Sequence, residues 1–365
     1  MTRHTKYLVE VSFFIIFLVL LPFLTIIPLQ SDTESRSPLA LDKKVLAFYY
    51  SWYGNSTNYT DPVNNITDFT ETGWSHWNGT ITDHPELGAY DSCDPNLIKS
   101  HFSMAEYAGI DGFICSWWGI NHYTDISFKD LLTVANNVSP SLNLTIYYES
   151  YQDRLLSLSM PERENVIVNE LNYILETYSS DNYFLKVNNI PVIFIYLTYT
   201  SPFSLWNNVV ERVKSEHSCY IIGDINPSPS VRDEVVQIFD GIHSYNPGLY
   251  LYFQQLFTGS SDWNVAPLYV SMAQTAHFHN KLYAATVIPG YNDTVARPNG
   301  FTVDRNGMQT YDTLWQTAIQ ASADWILITS FNEWHEGTEI ESSVEYHDTY
   351  LNRTQYWTTL FHSGL

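Results

Sequence analysis

The sequence predicts an α/β protein of the (β/α)8 TIM-type barrel class, preceded by an N-terminal transmembrane or signal segment. Short apolar runs alternate with longer helix-like segments, and eight pairs of them follow one another. The chain has 365 residues, and barrels of this class commonly use 250 residues or more as one domain. We therefore expect a tail with an anchor or signal over residues 1–30, a polar linker over 31–44 and one barrel domain over 45–365.

The N-terminal segment Val11–Gln30 carries no charged residue and has about the 20 residues that a membrane-spanning helix needs. Arg3 and Lys6 precede it, which places the short tail in the cytoplasm and the remaining chain outside the cell or in a lumen. A cleaved signal peptide has a shorter apolar core and a small-residue cleavage site, and no clear site follows here. We favour an uncleaved single-pass anchor; a cleaved segment would make the protein secreted.

The predicted strands share short length, few charges and many Ile, Val, Phe and Tyr residues, as expected for parallel strands that are covered on both faces. They are Val45–Ser51, Ile110–Ser116, Leu142–Tyr148, Pro191–Leu197, Tyr220–Asp224, Gly241–Ser244, Leu282–Ile288 and Trp325–Phe331.

Helix-like segments follow each of these runs, and Pro95 and Pro161 stand where a first helical turn tolerates proline. The segments are Pro95–Ala108, Ser127–Asn137, Pro161–Tyr178, Ser204–Ser215, Val231–Phe239, Asn264–Phe278, Met308–Ser322 and about Tyr350–Phe361.

The amino-acid composition limits the classes of function that the protein can have. The chain has 17 Lys and Arg against 39 Asp and Glu, a formal net charge of −22, which argues against a nucleic-acid partner because phosphate contacts need clustered basic residues. Aromatic residues make up 16% of the chain. Flat aromatic faces among carboxylates suit a neutral polyhydroxylated ligand, although a tyrosine-rich composition without any ligand is the alternative.

Surface features agree with a non-cytoplasmic domain. Eight Asn-x-Ser/Thr sequons lie beyond the anchor and can accept glycans, although several would arise by chance in an Asn- and Thr-rich chain; they begin at Asn55, Asn58, Asn65, Asn78, Asn137, Asn143, Asn292 and Asn352. The three cysteines, Cys93, Cys115 and Cys219, are too few for a disulfide framework and lack zinc spacing. Cys115 is expected in the core.

In such barrels the chemistry lies at the C-terminal ends of the strands. Glu333 and Glu336 follow the last predicted strand, and a carboxyl buried among Phe331 and Trp334 would have a raised pKa and could donate a proton. Glycoside hydrolysis uses two carboxyl groups. The alternative is a structural loop whose Glu residues cap a helix or pair with Arg297.

Other acidic and histidine residues have both a functional and a structural interpretation. Glu149 ends the third strand between tyrosines, and its alternative role is a buried partner of an arginine. We expect Glu339, Glu341 and Glu345 to be mostly solvated. His76 and His84 could contact substrate, although a loop histidine is more often simply solvated. His335 and Glu336 do not form a zinc-protease motif, and no phosphate loop is present, so we expect neither metal nor cofactor.

Several segments together resemble glycoside hydrolase family 99, the endo-α-1,2-mannosidases and endo-α-1,2-mannanases. The resemblance covers about Val45 to Trp357 in the family's order. The segments are F-Y-Y-S-W-Y-G, W-S-H-W, D-G-F-I-C-S-W-W-G, Y-E-S-Y, P-G-Y-N-D-T-V-A-R-P and T-S-F-N-E-W-H-E-G-T-E-I-E. Eukaryotic members are single-pass Golgi proteins, which is consistent with the anchor.

The resemblance implies retaining cleavage inside a mannose-containing chain, such as an N-glycan or a mannan, without a metal. Glu336 matches the family's general acid/base. Glu333 matches the residue that deprotonates the substrate 2-hydroxyl, which then attacks C1 to give a 1,2-anhydro sugar. Residues expected to bind substrate are Glu149, Tyr49 or Tyr50, Trp117 or Trp118, Tyr196, Tyr245 and Arg297, with His84 as a further candidate.

The third motif reads Y-Y-E-S-Y where the family usually has H-I-E-P-Y, so the preferred glycan stays open. Two alternatives therefore remain beside the mannosidase: a related endo-glycosidase acting on another α-linked polysaccharide, and a non-catalytic carbohydrate-binding protein on the same barrel. A complete carboxylate pair argues against the second, because a binding protein has no need for both.

Overall fold

The computed structural model describes residues 42–54, 76–77, 79–260 and 263–364. Eight strands form a closed parallel barrel, in which β1 pairs with both β2 and β8. The predicted (β/α)8 architecture is therefore confirmed. The strands are β1 (Lys44–Tyr49), β2 (Gly112–Trp117), β3 (Asn143–Tyr148), β4 (Ile190–Ile195), β5 (Tyr220–Asp224), β6 (Gly241–His243), β7 (Leu282–Val287) and β8 (Trp325–Ile328).

Side chains alternate between two apolar clusters along each strand, because successive residues of a strand point to opposite faces. On β1, Leu46 and Phe48 belong to the cluster inside the barrel. Val45, Ala47 and Tyr49 belong to the larger cluster between the strands and the outer helices. This period of two decides which residue at a strand end can reach a site above the barrel.

Ten helices lie within the described residues. They are α1 (Pro95–Tyr107), α2 (Tyr123–Val138), α3 (Asp153–Leu156), α4 (Met160–Tyr178), α5 (Phe203–Glu216), α6 (Asp233–Ile238), α7 (Gly248–Thr258), α8 (Ala266–Phe278), α9 (Gln309–Gln320) and α10 (Thr349–Ser363).

Local sequence explains several helix boundaries. Asp94 caps α1 by accepting a hydrogen bond from the Asn96 N–H, and Pro95 occupies the first turn. Helix α2 begins at Tyr123, four residues before the expected Ser127, because the His122 side chain accepts from the Thr124 N–H and caps an earlier turn. Two further helices, the short α3 and α7, were not expected from the sequence.

The last strand is shorter than predicted. Strand β8 ends at Ile328 rather than Phe331, and the Ser330 N–H donates to the Thr338 carbonyl, 2.8 Å away. The chain thus folds onto the loop that follows. We call residues 329–341 the β8 loop.

The predicted membrane anchor and most of the linker lie outside the described residues, as do the sequons at Asn55, Asn58, Asn65 and Asn78. Within the part of the chain that the structure describes, no helix combines the length and apolarity needed to cross a bilayer. All three cysteines are free thiols, and Cys115 is buried as predicted.

Candidate active site

A cavity of about 560 Å³ opens at the C-terminal ends of the barrel strands. It joins residues from widely separated motifs. Its lining consists of Tyr50, Trp52, His76, Thr80, Trp118, His122, Glu149, Tyr151, Tyr196, Tyr245, Ala296, Arg297, Glu333, His335 and Glu336. All three carboxylates singled out from the sequence therefore face one space, together with most of the expected aromatic residues.

Three expected substrate-binding residues lie elsewhere. Tyr49 and Trp117 occupy outward positions of their strands, so each packs beneath the outer helices while the next residue along, Tyr50 or Trp118, reaches the cavity. His84 is an exposed loop residue whose Nδ1 lies 2.9 Å from a carboxylate oxygen of Glu345. The structure does not bring these three side chains to the cavity, whereas Tyr50 and Trp118, the stated alternatives to Tyr49 and Trp117, line it.

Glu336 lies in a turn and is surrounded by hydrogen-bond donors. Its N–H donates to the Glu333 carbonyl at 3.3 Å, and Gly337 follows with φ near +55°, a conformation that favours glycine. Arg297 Nη1 and Nη2 each lie 3.0 Å from Oε1. The Tyr245 hydroxyl donates to Oε2 at 3.2 Å.

The environment of Glu336 raises the pKa of its carboxyl above the ordinary value. Burial raises the pKa of Glu336, the Arg297 guanidinium lowers it, and the neighbouring Glu333 charge raises it, with a net upward direction. The pairing with Arg297 stated as the structural alternative is therefore present, yet the same carboxyl still lines the cavity. The contact can serve chemistry as well as structure.

Glu333 is paired with His335, which is not among the site residues expected from the sequence. His335 Nδ1 lies 3.1 Å from Glu333 Oε1, and the His335 N–H donates to the same oxygen at 3.2 Å. The Glu333 N–H in turn donates to Ser330 Oγ at 2.7 Å. Burial lowers the pKa of His335, but the hydrogen bond and charge of Glu333 raise it above the ordinary value overall.

Glu149 forms a third carboxyl site on the β3 side of the cavity. Burial raises its pKa to about 8, against the lowering effect of the Ser116 hydroxyl, which donates to it at 2.6 Å. Trp118 Nε1 donates to that same hydroxyl at 2.9 Å. A pKa of about 8 favours the protonated form of Glu149 at neutral pH. Within the part of the chain that the structure describes, no arginine pairs with this carboxyl, in contrast to the stated alternative.

Aromatic side chains close one wall of the cavity. Trp52 stacks on His76 with ring centroids 4.9 Å apart and an interplanar angle of 6°. The ring centroids of Trp52 and Trp118 lie 6.1 Å apart. Sequence analysis named His76 but not Trp52, His122 or His335 as site residues. Two of them could have been predicted from their place in the sequence, because Trp52 closely follows β1 and His335 lies between the two glutamates.

Two acidic residues expected in solvent are buried instead. Glu339 pairs with the Arg305 guanidinium, which also stacks over Tyr346 and Tyr350. Glu341 accepts hydrogen bonds inside the protein and is only 2% exposed. The expectation fails for both because the β8 loop folds back over the barrel and carries these side chains inward.

Comparison with known proteins agrees with this geometry. The family model described as "Glycosyl hydrolase family 99" matches residues 40–362. A rat glycoprotein endo-alpha-1,2-mannosidase is 27% identical over 365 aligned positions, covering 87% of this chain and 71% of the relative. The mouse glycoprotein endo-alpha-1,2-mannosidase-like protein is 25% identical, covering 87% and 73%.

Solved structures give the same assignment. An endo-alpha-mannosidase from Bacteroides thetaiotaomicron superposes with a TM-score of 0.70 at 30% sequence identity, covering 88% of this chain and 98% of that one. The family model itself extends from before β1 to the last helix. The chain is a glycoside hydrolase and belongs to glycosyl hydrolase family 99.

Proposed function

We propose that the protein is a retaining, endo-acting α-mannosidase that cleaves internal α-1,2-mannosidic bonds of N-glycan-like or mannan chains. The observation that carries the proposal is the convergence of Glu333, Glu336 and Glu149 on one cavity in a chain of this family. The names of the animal relatives and of the bacterial structure support mannose as the sugar.

In the first step, Glu336 donates its proton to the glycosidic oxygen as the C1–O bond of the leaving sugar breaks. Glu333 accepts the proton of the 2-hydroxyl, and O2 attacks C1 from the opposite face to close a 1,2-anhydro ring. The upward direction of the Glu336 pKa supports the acid role. The His335 contact holds one Glu333 oxygen in a fixed direction.

In the second step, Glu336, now a carboxylate, takes a proton from water as the water oxygen attacks C1. The C1–O2 bond breaks and Glu333 returns its proton to O2. Two inversions at C1 give net retention, and both glutamates regain their starting protonation states. Arg297 and Tyr245 contact Glu336 and stabilise the carboxylate that this step requires.

The substrate would enter past the aromatic wall. Trp52 and Trp118 offer flat apolar faces, and the protonated Glu149 offers a hydroxyl donor beside them. A cavity open at the surface accommodates the middle of a chain, which suits endo action. With the N-terminal segment as an anchor, the barrel would work on the extracytoplasmic or luminal side of a membrane, Golgi-like in a eukaryote.

The test is incubation with high-mannose glycans, with and without a terminal glucose, and with α-1,2-linked mannan, followed by mass analysis of the products. We expect release of a di- or larger oligosaccharide, with the α configuration retained in an NMR time course. Glu336→Gln serves as the inactive control. A different α-linked polysaccharide without mannose is incubated beside these substrates, and cleavage of that polysaccharide alone would overturn the mannosidase assignment.

A further inference from the structure

A buried polar network lies directly behind the β8 loop and has no part in the chemistry described above. It consists of Tyr90, His101, Glu341, Asn332 and Trp334, all of them buried. None of the five lines the cavity. Asn332 and Trp334 are the two chain neighbours of Glu333, so the network holds the catalytic loop from both sides of that residue.

The Tyr90 hydroxyl is the centre of this network. It donates to Glu341 Oε2 at 2.9 Å. It accepts from Trp334 Nε1 at 2.9 Å and from Asn332 Nδ2 at 3.4 Å. A phenol has one proton and two acceptor sites. Because an indole N–H only donates and a carboxylate only accepts, the direction of each bond is determined and the capacity of the hydroxyl is fully used.

Further hydrogen bonds hold Glu341 on the side away from Tyr90, so its carboxylate is a fixed acceptor. His101 Nε2 on α1 lies 3.1 Å from Glu341 Oε1, and the other ring nitrogen lies 2.9 Å from the Tyr49 hydroxyl on β1. The Glu341 N–H donates to the Phe331 carbonyl at 2.9 Å. The network therefore connects the β8 loop to one strand and one outer helix of the barrel.

Asn332 extends the network toward the second catalytic carboxyl. Its Oδ1 accepts from the Tyr50 N–H at 2.8 Å, and its Nδ2 donates to the Tyr50 carbonyl at 3.0 Å. The Tyr50 hydroxyl then donates to the Tyr245 hydroxyl at 2.6 Å, which donates to Glu336. The end of β1 is thereby aligned with both glutamates.

We propose that Tyr90 is a positioning residue for the reaction, acting through Asn332 and Trp334 on the direction of Glu333. The proposal rests on the proposed function, because it assumes that Glu333 and Glu336 carry the chemistry. Removing the hydroxyl leaves the Trp334 indole N–H and one of the two Asn332 amide N–H bonds without their acceptor. The loop would shift to satisfy them, and a displacement of about 1 Å in a catalytic group can lower a rate about 100-fold.

The test compares Tyr90→Phe with a matched control, Tyr311→Phe. The Tyr311 hydroxyl is equally buried and bonds Thr354 Oγ1 at 2.9 Å, but it joins α9 to α10 on the outside of the barrel. We expect Tyr90→Phe to lower kcat about 10- to 100-fold with KM changed less than about threefold. Tyr311→Phe should keep kcat within about twofold at a comparable loss of Tm.

A second pair of variants tests the acceptor. Glu341→Gln keeps an oxygen opposite the Tyr90 hydroxyl, whereas Glu341→Leu has a similar volume and no acceptor. We expect kcat to be largely retained in the first and to fall in the second as far as in Tyr90→Phe. Equal kcat in Tyr90→Phe and Tyr311→Phe, or equal losses in the two Glu341 variants, would overturn the proposal. Absence of any product with the unmodified protein would instead refute the proposed function.

Discussion

The Tyr245 hydroxyl lies 3.2 Å from Glu336 Oε2 and accepts a hydrogen bond from the Tyr50 hydroxyl at 2.6 Å. Two tyrosines that follow β1 and β6 thus form a chain of hydrogen bonds that ends at the proposed acid/base. Burial raises the pKa of both phenols well above the ordinary value, so both stay protonated and act as donors at all working pH values.

Tyr245→Phe is expected to lower kcat/KM about 10- to 150-fold, because one charge-assisted hydrogen bond to the Glu336 carboxylate contributes about 1.5–3 kcal/mol. The lost donor matters most in the second step, where Glu336 must be ionised. Steady-state kinetics on a cleavable glycan measures the effect. Tyr199→Phe provides a comparison, because Tyr199 is a tyrosine near the same strand ends that does not line the cavity, and an equal loss there would contradict a specific role for Tyr245.

Replacing either proposed catalytic carboxyl should remove nearly all turnover. Glu333→Gln and Glu336→Gln keep the side-chain volume but cannot exchange a proton, so each should lower kcat at least about 1,000-fold. Glu345→Gln is the matched control, since that carboxylate lies outside the cavity and pairs with the exposed His84. Near-unmodified turnover in either site variant would contradict the assigned roles.

Glu149 should make stability depend on pH. Its pKa in the folded protein is about 8, above the ordinary value of 4.5, so the folded state binds this proton more tightly than the unfolded state. The resulting contribution to stability is fully present below about pH 4.5 and is lost as the pH rises through about 8. Glu149→Gln is always neutral and should therefore gain Tm relative to the unmodified protein between pH 5 and pH 9.

Thermal melts of the two proteins across that range measure this difference. Glu336 and Asp224, two nearby carboxyls whose pKa is also raised, are present in both proteins, so their contributions largely cancel in the comparison. A Tm difference that stays constant from pH 5 to pH 9 would show that Glu149 does not hold its proton more tightly in the folded state.

The buried pair of Arg305 and Glu339 should stabilise the β8 loop. Arg305 also donates to the carbonyl oxygens of Gly337 and Glu339. Arg305→Met leaves the Glu339 carboxylate buried without a cation, which is expected to lower the free energy of unfolding by about 3–5 kcal/mol. Denaturant unfolding measures this change in the free energy of unfolding. Arg232→Met removes an exposed pair with Glu234 and should change stability by less than about 1 kcal/mol.

Much of the site could be predicted because barrels concentrate chemistry at strand ends. Glu149, Glu333 and Glu336 each follow a strand, and all three line the cavity. The sequence did not specify which of two neighbouring residues faces the cavity, as the alternatives Tyr49 and Tyr50 show. Whether a strand-end residue faces inward depends on where the strand leaves the barrel, and apolar composition does not specify that position when both faces are buried.

The sequence by itself determined the alternation of strands and helices, the carboxylates at the strand ends and the resemblance to one family, because these depend on local periodicity and short motifs. Only the tertiary structure decided which distant groups meet. Arg297 reaches Glu336, and Tyr90 reaches Glu341 across 251 positions, because barrel closure places β8 beside β1 and folds the β8 loop inward. Buried polar partners follow from that three-dimensional packing, which one-dimensional charge patterns do not encode.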